Sequence, residues 1–231
     1  MDQLLPETQA ILRTLASMST TSAGDLDCFI SADKFKSLYT AMNECTSSSP
    51  SGRHLGHYKA ALKSDRLIEL HTKMMAIPHL TGYSPKRWHE IVDVMLQKTP
   101  GDSRIHRLQI VALLESDFNQ SNRLAIGKPI LEPLEDKGAL PSMQYGSRLA
   151  KLCLSAVLNK QLTFKIIRYK KSSMAYIEND AVGCHDRIIN PLVLLYLRLL
   201  GVPLPAIQSL AASWSKSSHR VKTLYGISTH R

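Results

Sequence analysis

The sequence predicts an α/β chain of the mixed (α+β) kind, rich in helix, with a few short strands. Three observations predict it. Apolar residues recur at helical spacing through most of the chain. Three short runs, residues 107–114, 174–177 and 220–227, read instead as strands. Clusters of turn-forming residues, clearest at 45–52 and 98–102, separate the periodic segments. With 231 residues, 44% hydrophobic and 21% charged, the chain can bury a sizeable core and has an ordinary globular composition.

Taken in order, residues 4–17 carry Leu4, Leu5, Ile11, Leu12 and Leu15 at helical spacing, and the Ser/Thr-rich stretch 17–24 reads as a loop. Ser31 is placed to cap a second helix with Phe35, Leu38 and Met42 on one face. The run Cys45-Thr-Ser-Ser-Ser-Pro-Ser-Gly52 marks a boundary, so 1–47 is expected to form a helical, slightly acidic segment apart from 48–231. His54 and His57, with Cys45 nearby, are metal-binding types, but no fourth ligand stands at a suitable spacing for zinc. Residues 58–77 predict a helix with Leu62, Leu67, Leu70 and Met74/Met75 inward. Ser84-Pro85 reads as the cap and first residue of a helix bearing Trp88, Ile91, Val92, Met95 and Leu96.

Lys98-Thr-Pro-Gly-Asp102 is turn chemistry, and 107–114 follows as a strand. Residues 117–125 and 130–136 look helical, broken at Gly127 and Pro129, with a stop at Lys137-Gly138. A long helix is expected over 148–169, apolar along Leu149, Leu152, Leu154, Val157, Leu162 and Ile166/Ile167 and basic along Arg148, Lys151, Lys160, Lys165 and Arg168. After the 174–177 strand, Asn190-Pro191 caps a helix running to Gly201, 205–215 forms another, and 220–227 is a strand. No internal repeat is present.

The net charge is +10 and the pI about 9.5, which makes an anionic partner, nucleic acid first, the natural expectation. The basic excess lies beyond residue 50, and no acidic residue follows Asp186. Four cysteines without CxxC spacing read as reduced, intracellular thiols. No signal peptide is discerned at the N-terminus, and the longest apolar run, 191–205, is broken by Arg198 and Pro203, so no transmembrane segment is expected.

The stretch SSMAYIENDAVGCHDRII, residues 172–189, organises the functional expectation. An apolar run leads into Asn179-Asp180, and His185-Asp186-Arg187 follows. A strand that ends on an acidic side chain and turns into a helix can hold a carboxylate at a sheet edge for a divalent metal. Spacing alone equally describes a solvated surface turn.

Several blocks in order resemble the reverse transcriptases, and within them those of non-LTR retrotransposons, over roughly 48–229. Ser49-Pro-Ser-Gly52 through Tyr58-Lys59 is similar to the family's Pro-Gly-x-Asp-Gly segment, with Ser51 where Asp is usual. Trp88, Val94–Lys98, Pro100-Gly101 and Leu113-Leu114 resemble the fingers, where basic residues approach the incoming triphosphate. Lys98 matches the first basic position. Gln109 stands at the arginine position, with Arg107 two residues earlier on the same strand face. Gln144-Tyr-Gly-Ser-Arg148 resembles the Gln-x-Gly-Phe-Arg element, which implies that Gln144, Gly146 and Arg148 lie near template or nucleotide. Asp180 through Asp186-Arg187-Ile188 resembles motif A, which implies that Asp180 binds Mg2+. His185 replaces the aromatic that crowds the sugar, and Asp186 and Arg187 support the turn.

The resemblance implies partial fingers and palm with a small, mostly antiparallel and incomplete sheet, and it implies RNA template, RNA/DNA duplex and dNTP as partners. It also implies what is missing. Two-metal phosphoryl transfer needs a second carboxylate cluster, supplied in that family by Tyr/Phe-x-Asp-Asp after a Gln-Gly motif. Neither occurs, and Arg231 falls about where the Gln-Gly motif would begin. The expectation is a truncated reverse-transcriptase-like (RNA-directed DNA polymerase) domain of a retroelement, inactive as this chain alone. The alternatives are a non-catalytic basic nucleic-acid-binding module and an unrelated helical interaction protein.

Overall fold

Capping chemistry sets the first helices. The computed structural model describes residues 5–18, 26–46, 49–148, 151–177, 188–223 and 226–228. Helix α1 spans Pro6–Met18. The Ser31 hydroxyl accepts the Lys34 N–H at 3.2 Å and starts α2, Ala32–Thr40, which buries Phe35, Leu38 and Tyr39. Helix α3 is Leu55–Ala61 and α4 is Asp65–Thr81. The single helix expected over 58–77 is therefore two. The turn at residues 62–64 resets the helical phase, so Ile68, Thr72, Met75 and Ala76 face inward while Leu67, Leu70 and Met74 are exposed. Gly82 ends α4 at φ +77°, a conformation that favours glycine.

The largest correction lies in the next segment. Pro85 leads only a short 3-10 turn, Lys86–His89, and the expected helix is strand β1, Glu90–Gln97. Its apolar residues recur at helical spacing, and pairing on both sides overrides that local pattern. Strand β2, Leu108–Leu113, runs antiparallel to β1 with Val92 opposite Leu113 and Gln97 opposite Leu108. Strand β3, Ser218–Thr223, lies parallel to β1 on its other side. β4, Gly226–Ile227, returns antiparallel to β3. The order β2-β1-β3-β4 makes a small mixed sheet, antiparallel in two of its three pairings.

Helix α5, Ser116–Asn122, passes without a break through a wide π-turn, Arg123–Gly127, into α6, Lys128–Asp136. Gly127 and Pro129 were expected to break this helix. The Lys128 N–H instead bonds the Arg123 carbonyl, and the widened turn admits the proline. Helix α7 begins at Cys153, later than the sequence suggests, and runs to Tyr169. The strand expected over 174–177 is irregular, exposed chain. Helices α8, Asn190–Leu199, and α9, Leu204–Ser215, fall close to expectation.

The chain divides into two compact units, residues 1–129 with 190–231, and residues 130–189. In the first, Trp88, Phe118 and Leu210 form an apolar cluster, with Leu114, Leu194, Leu197 and Trp214 packed against it. In the second, no described residue is buried. No helix among the described residues is long and apolar enough to cross a membrane.

Candidate nucleic-acid interface

The β1–β2 hairpin positions the first group of candidate residues. Its last pair is Gln97 opposite Leu108; Lys98 follows on one side and Arg107, the last residue of the 3-10 turn Ile105–Arg107, precedes on the other. Gln109 faces Leu96 one pair further in. Lys98, Arg107 and Gln109 are all exposed. Gly101, at φ +84°, turns the connecting loop, and its N–H bonds the Gln97 side chain at 3.1 Å. Arg104 grips Asp102 through two hydrogen bonds of 2.9 and 2.7 Å, which hold the Asp102 carboxyl below the usual range. That pairing consumes the loop's acid. Among the described residues no carboxylate forms an ion pair with Lys98 or Arg107. The hairpin mouth therefore presents two unneutralised cations to solvent.

The second group lies in the 130–189 unit. Gln144 and Gly146 are exposed, and a Cβ at Gly146 would meet nothing within 4 Å. Arg148 is turned inward. Its guanidinium donates to Glu135 at 2.7 and 2.5 Å and to the Pro141 carbonyl at 2.6 Å, with only 7% of its side chain exposed. The bond from Arg148 lowers the Glu135 pKa. Arg148 thus closes the loop between α6 and α7 and leaves Gln144 and Gly146 as the open positions. Further along, Lys160 lies 4.6 Å over the Tyr176 ring, which packs edge-on against Phe164. Lys160, Lys165, Arg168, Lys170 and Lys171 carry five positive charges with no acidic residue between 153 and 171.

Asp180, His185, Asp186 and Arg187 lie outside the described residues. Among those described, no group of three or more His, Cys, Asp or Glu gathers to hold a metal ion. If Asp180 were a metal ligand, as the resemblance implies, that one carboxylate would not supply the donor set that two magnesium ions need. His54 and His57 are occupied in capping α3: the His54 ring accepts the Gly56 N–H and the His57 ring accepts the His54 N–H, at 3.1 and 3.0 Å.

The sequence did not single out the buried carboxylates Glu115 and Asp117. Glu115 receives the Ser51 N–H and hydroxyl at 2.8 and 2.9 Å. Asp117 receives Trp88 Nε1 at 3.0 Å and the Arg87 guanidinium. Burial works against the charge of Arg87, but Asp117 outweighs it and raises the pKa. Together these bonds tie the 49–53 loop and the Arg87-Trp88 turn to the start of α5. Their partners lie 29 to 64 residues away in sequence, so no local pattern announced them.

Comparison with protein-family models finds no match, and comparison with curated proteins finds none either.

Proposed function

We propose that the chain is a reverse-transcriptase-like fingers and partial palm that holds nucleic acid and does not by itself polymerise it. The observation that carries this reading is the position of exposed Lys98 and Arg107 immediately beyond the last pair of an antiparallel hairpin, Gln97 opposite Leu108, with no described carboxylate in ion pair with them. Two adjacent cations on a rigid hairpin favour phosphate through charge-assisted hydrogen bonds. Gln109, on the strand that follows Arg107, adds an amide donor. Gln144 and Gly146, open in the other unit, suit close approach of a nucleotide or template strand. In the motif-A resemblance Asp180 would contribute one magnesium carboxylate, His185 the sugar-facing position, and Asp186 and Arg187 support. One carboxylate does not hold two ions, so dNTP incorporation is not expected.

The test is binding and synthesis on one primer–template duplex. Affinity is expected to fall steeply with salt, and Lys98→Ala or Arg107→Ala each to lower the log–log salt slope by about 1. No binding at low salt refutes the reading. Magnesium-dependent incorporation that Asp180→Ala abolishes refutes the inactivity.

A second reading, a non-catalytic basic module, is favoured by the five positive charges of 153–171, a stretch with no acidic residue in sequence, and by Lys160 over the Tyr176 ring. It predicts that Lys165→Ala with Arg168→Ala weakens binding more than the hairpin variants do, and equally for DNA and RNA of any sequence.

A further inference from the structure

A cleft of about 460 Å³ opens in the first unit, with Lys86, His89, Glu90, Lys216, Ser218 and Arg220 in its walls. Strands β1 and β3 start side by side there, with Glu90 opposite Ser218. Lys86 and His89 come from the 3-10 turn before β1, and Lys216 follows the end of α9. None of these residues belongs to the Lys98, Arg107 and Gln109 group. We propose that this cleft binds a phosphate dianion, free or terminal on an organic ester, and draws a proton from solvent onto His89 Nδ1 as it does so.

A chain of hydrogen bonds sets which His89 nitrogen is open. The Ser213 hydroxyl donates to the Ser209 carbonyl at 2.8 Å, so towards Ser84 it accepts. The Ser84 hydroxyl therefore donates to Ser213 and accepts from His89 Nε2, both at 2.8 Å. Nε2 carries the ring proton, and Nδ1 keeps its lone pair. Nδ1 has no hydrogen-bond partner among the described residues, and it is not sealed from solvent. A neutral His89 offers an anion no donor at Nδ1, whereas a protonated one does.

The rest of the cleft supplies donors and excess positive charge. Lys86 and Lys216 are exposed, and neither pairs with a described carboxylate. The Ser218 hydroxyl has no hydrogen-bond partner among the described residues. The one acid in the walls, Glu90, forms an ion pair with Arg220. The Ala212 and Trp214 carbonyls at the end of α9, which would repel an anion, accept from the Ser215 and Ser217 hydroxyls at 3.4 and 2.9 Å. The charges around His89 are thus Lys86 on its own turn, Lys216 after α9, and the mutually neutralised Glu90 and Arg220 of β1 and β3. Burial lowers the His89 pKa, and Lys216 lowers it further. An anion held by the two lysines would offset Lys216 and favour the imidazolium, whose Nδ1–H then donates to the anion.

The experiment is calorimetric titration of the 231-residue chain at constant ionic strength balanced with chloride. Sulfate is the first probe, because it stays a dianion with no proton to give across the range in which imidazole titrates. Saturable binding is expected, about tenfold tighter at about pH 5.5 than at about pH 8, since anion and proton bind together. His89→Gln keeps an amide donor for Ser84 and cannot titrate, so it should remove that pH dependence. Lys216→Gln should weaken sulfate about tenfold at the lower pH. Lys216 is exposed, so this variant should keep the wild-type circular dichroism. Lys98→Ala should leave the affinity unchanged. The source is read at the higher pH, where inorganic and methyl phosphate are both largely dianions. Methyl phosphate binding at least as tightly as inorganic phosphate assigns an organic monoester, and weaker binding assigns the free ion. Absence of saturable binding, a wild-type pH dependence in His89→Gln, wild-type affinity in Lys216→Gln, a loss in Lys98→Ala, or dimethyl phosphate binding as tightly as the dianions would each overturn the proposal.

Discussion

Helices α4 and α7 are each 17 residues long, and neither is started by a side-chain cap. Both carry apolar residues at helical spacing, yet their fates differ. Helix α4 buries Ile68, Thr72, Met75, Ala76, Pro78 and His79 in contact with α2, α3, α5 and α9. Helix α7 buries nothing among its described residues, and Leu154, Val157, Leu158, Leu162 and Ile166 are each at least 45% exposed. Helical periodicity marks a face that is able to be buried. Burial needs a second element carrying a complementary face, and α4 has four. The same contrast holds for the polar interactions. Asp117 is 2% exposed and ties two distant segments together, whereas the Arg148–Glu135 pair closes one local loop.

This difference can be broken at several points. The largest effect is expected from Asp117→Ala, which strands the Arg87 guanidinium and Trp88 Nε1 and should cost about 4 kcal/mol in urea unfolding. Glu135→Ala should leave that unfolding transition in place and speed hydrogen exchange only between residues 130 and 148. A comparable loss from both would erase the contrast.

Next comes packing. Met75→Ala, at a site 2% exposed, should destabilise by about 3 kcal/mol, while Leu158→Ala, at 55% exposed, should stay within about 0.5 kcal/mol. Equal values would mean that α7 is covered in solution.

Last comes a pH dependence on the α4 side, similar in size to the Met75 loss but reached only in acid. His79 is 1% exposed, neither ring nitrogen has a hydrogen-bond partner among the described residues, and burial pushes its pKa down to about 4. Below about pH 6.5 the unfolded chain takes up a proton that the folded chain refuses, so stability is full above that pH and falls as pH drops towards 4. The loss should approach about 3 kcal/mol at the lower end. His79→Phe, which keeps a ring against Trp88, should flatten the acid limb of the stability profile. An unchanged limb would assign it to other groups.

Legibility in the sequence followed how local the deciding interaction is. Ser31 as a cap, the 98–102 turn, β2, α8 and α9 were all readable, because a cap, a turn and a strongly periodic run carry their own signals. Strand β1 was read as a helix because Ile91, Val92, Met95 and Leu96 recur at helical spacing, and pairing with β2 and β3 on its flanks overrides that pattern. The inward face of α4 was misassigned because a three-residue turn shifted its phase. At the candidate sites, Lys98 and Arg107 were named from order and residue type, and the hairpin brings both to just beyond its last pair, Gln97 and Leu108.

The sequence by itself determined the helix-rich class with a small sheet and the basic surplus beyond residue 50. Those depend on composition, on local backbone preference and on which residues are present. Only the tertiary structure decided that residues 90–97 are a strand, that Arg148 is folded onto Glu135, and that Glu115 and Asp117 lie buried with partners far along the chain. Pairing and burial are relations between distant segments, and their free energies exceed the local preferences that a sequence displays.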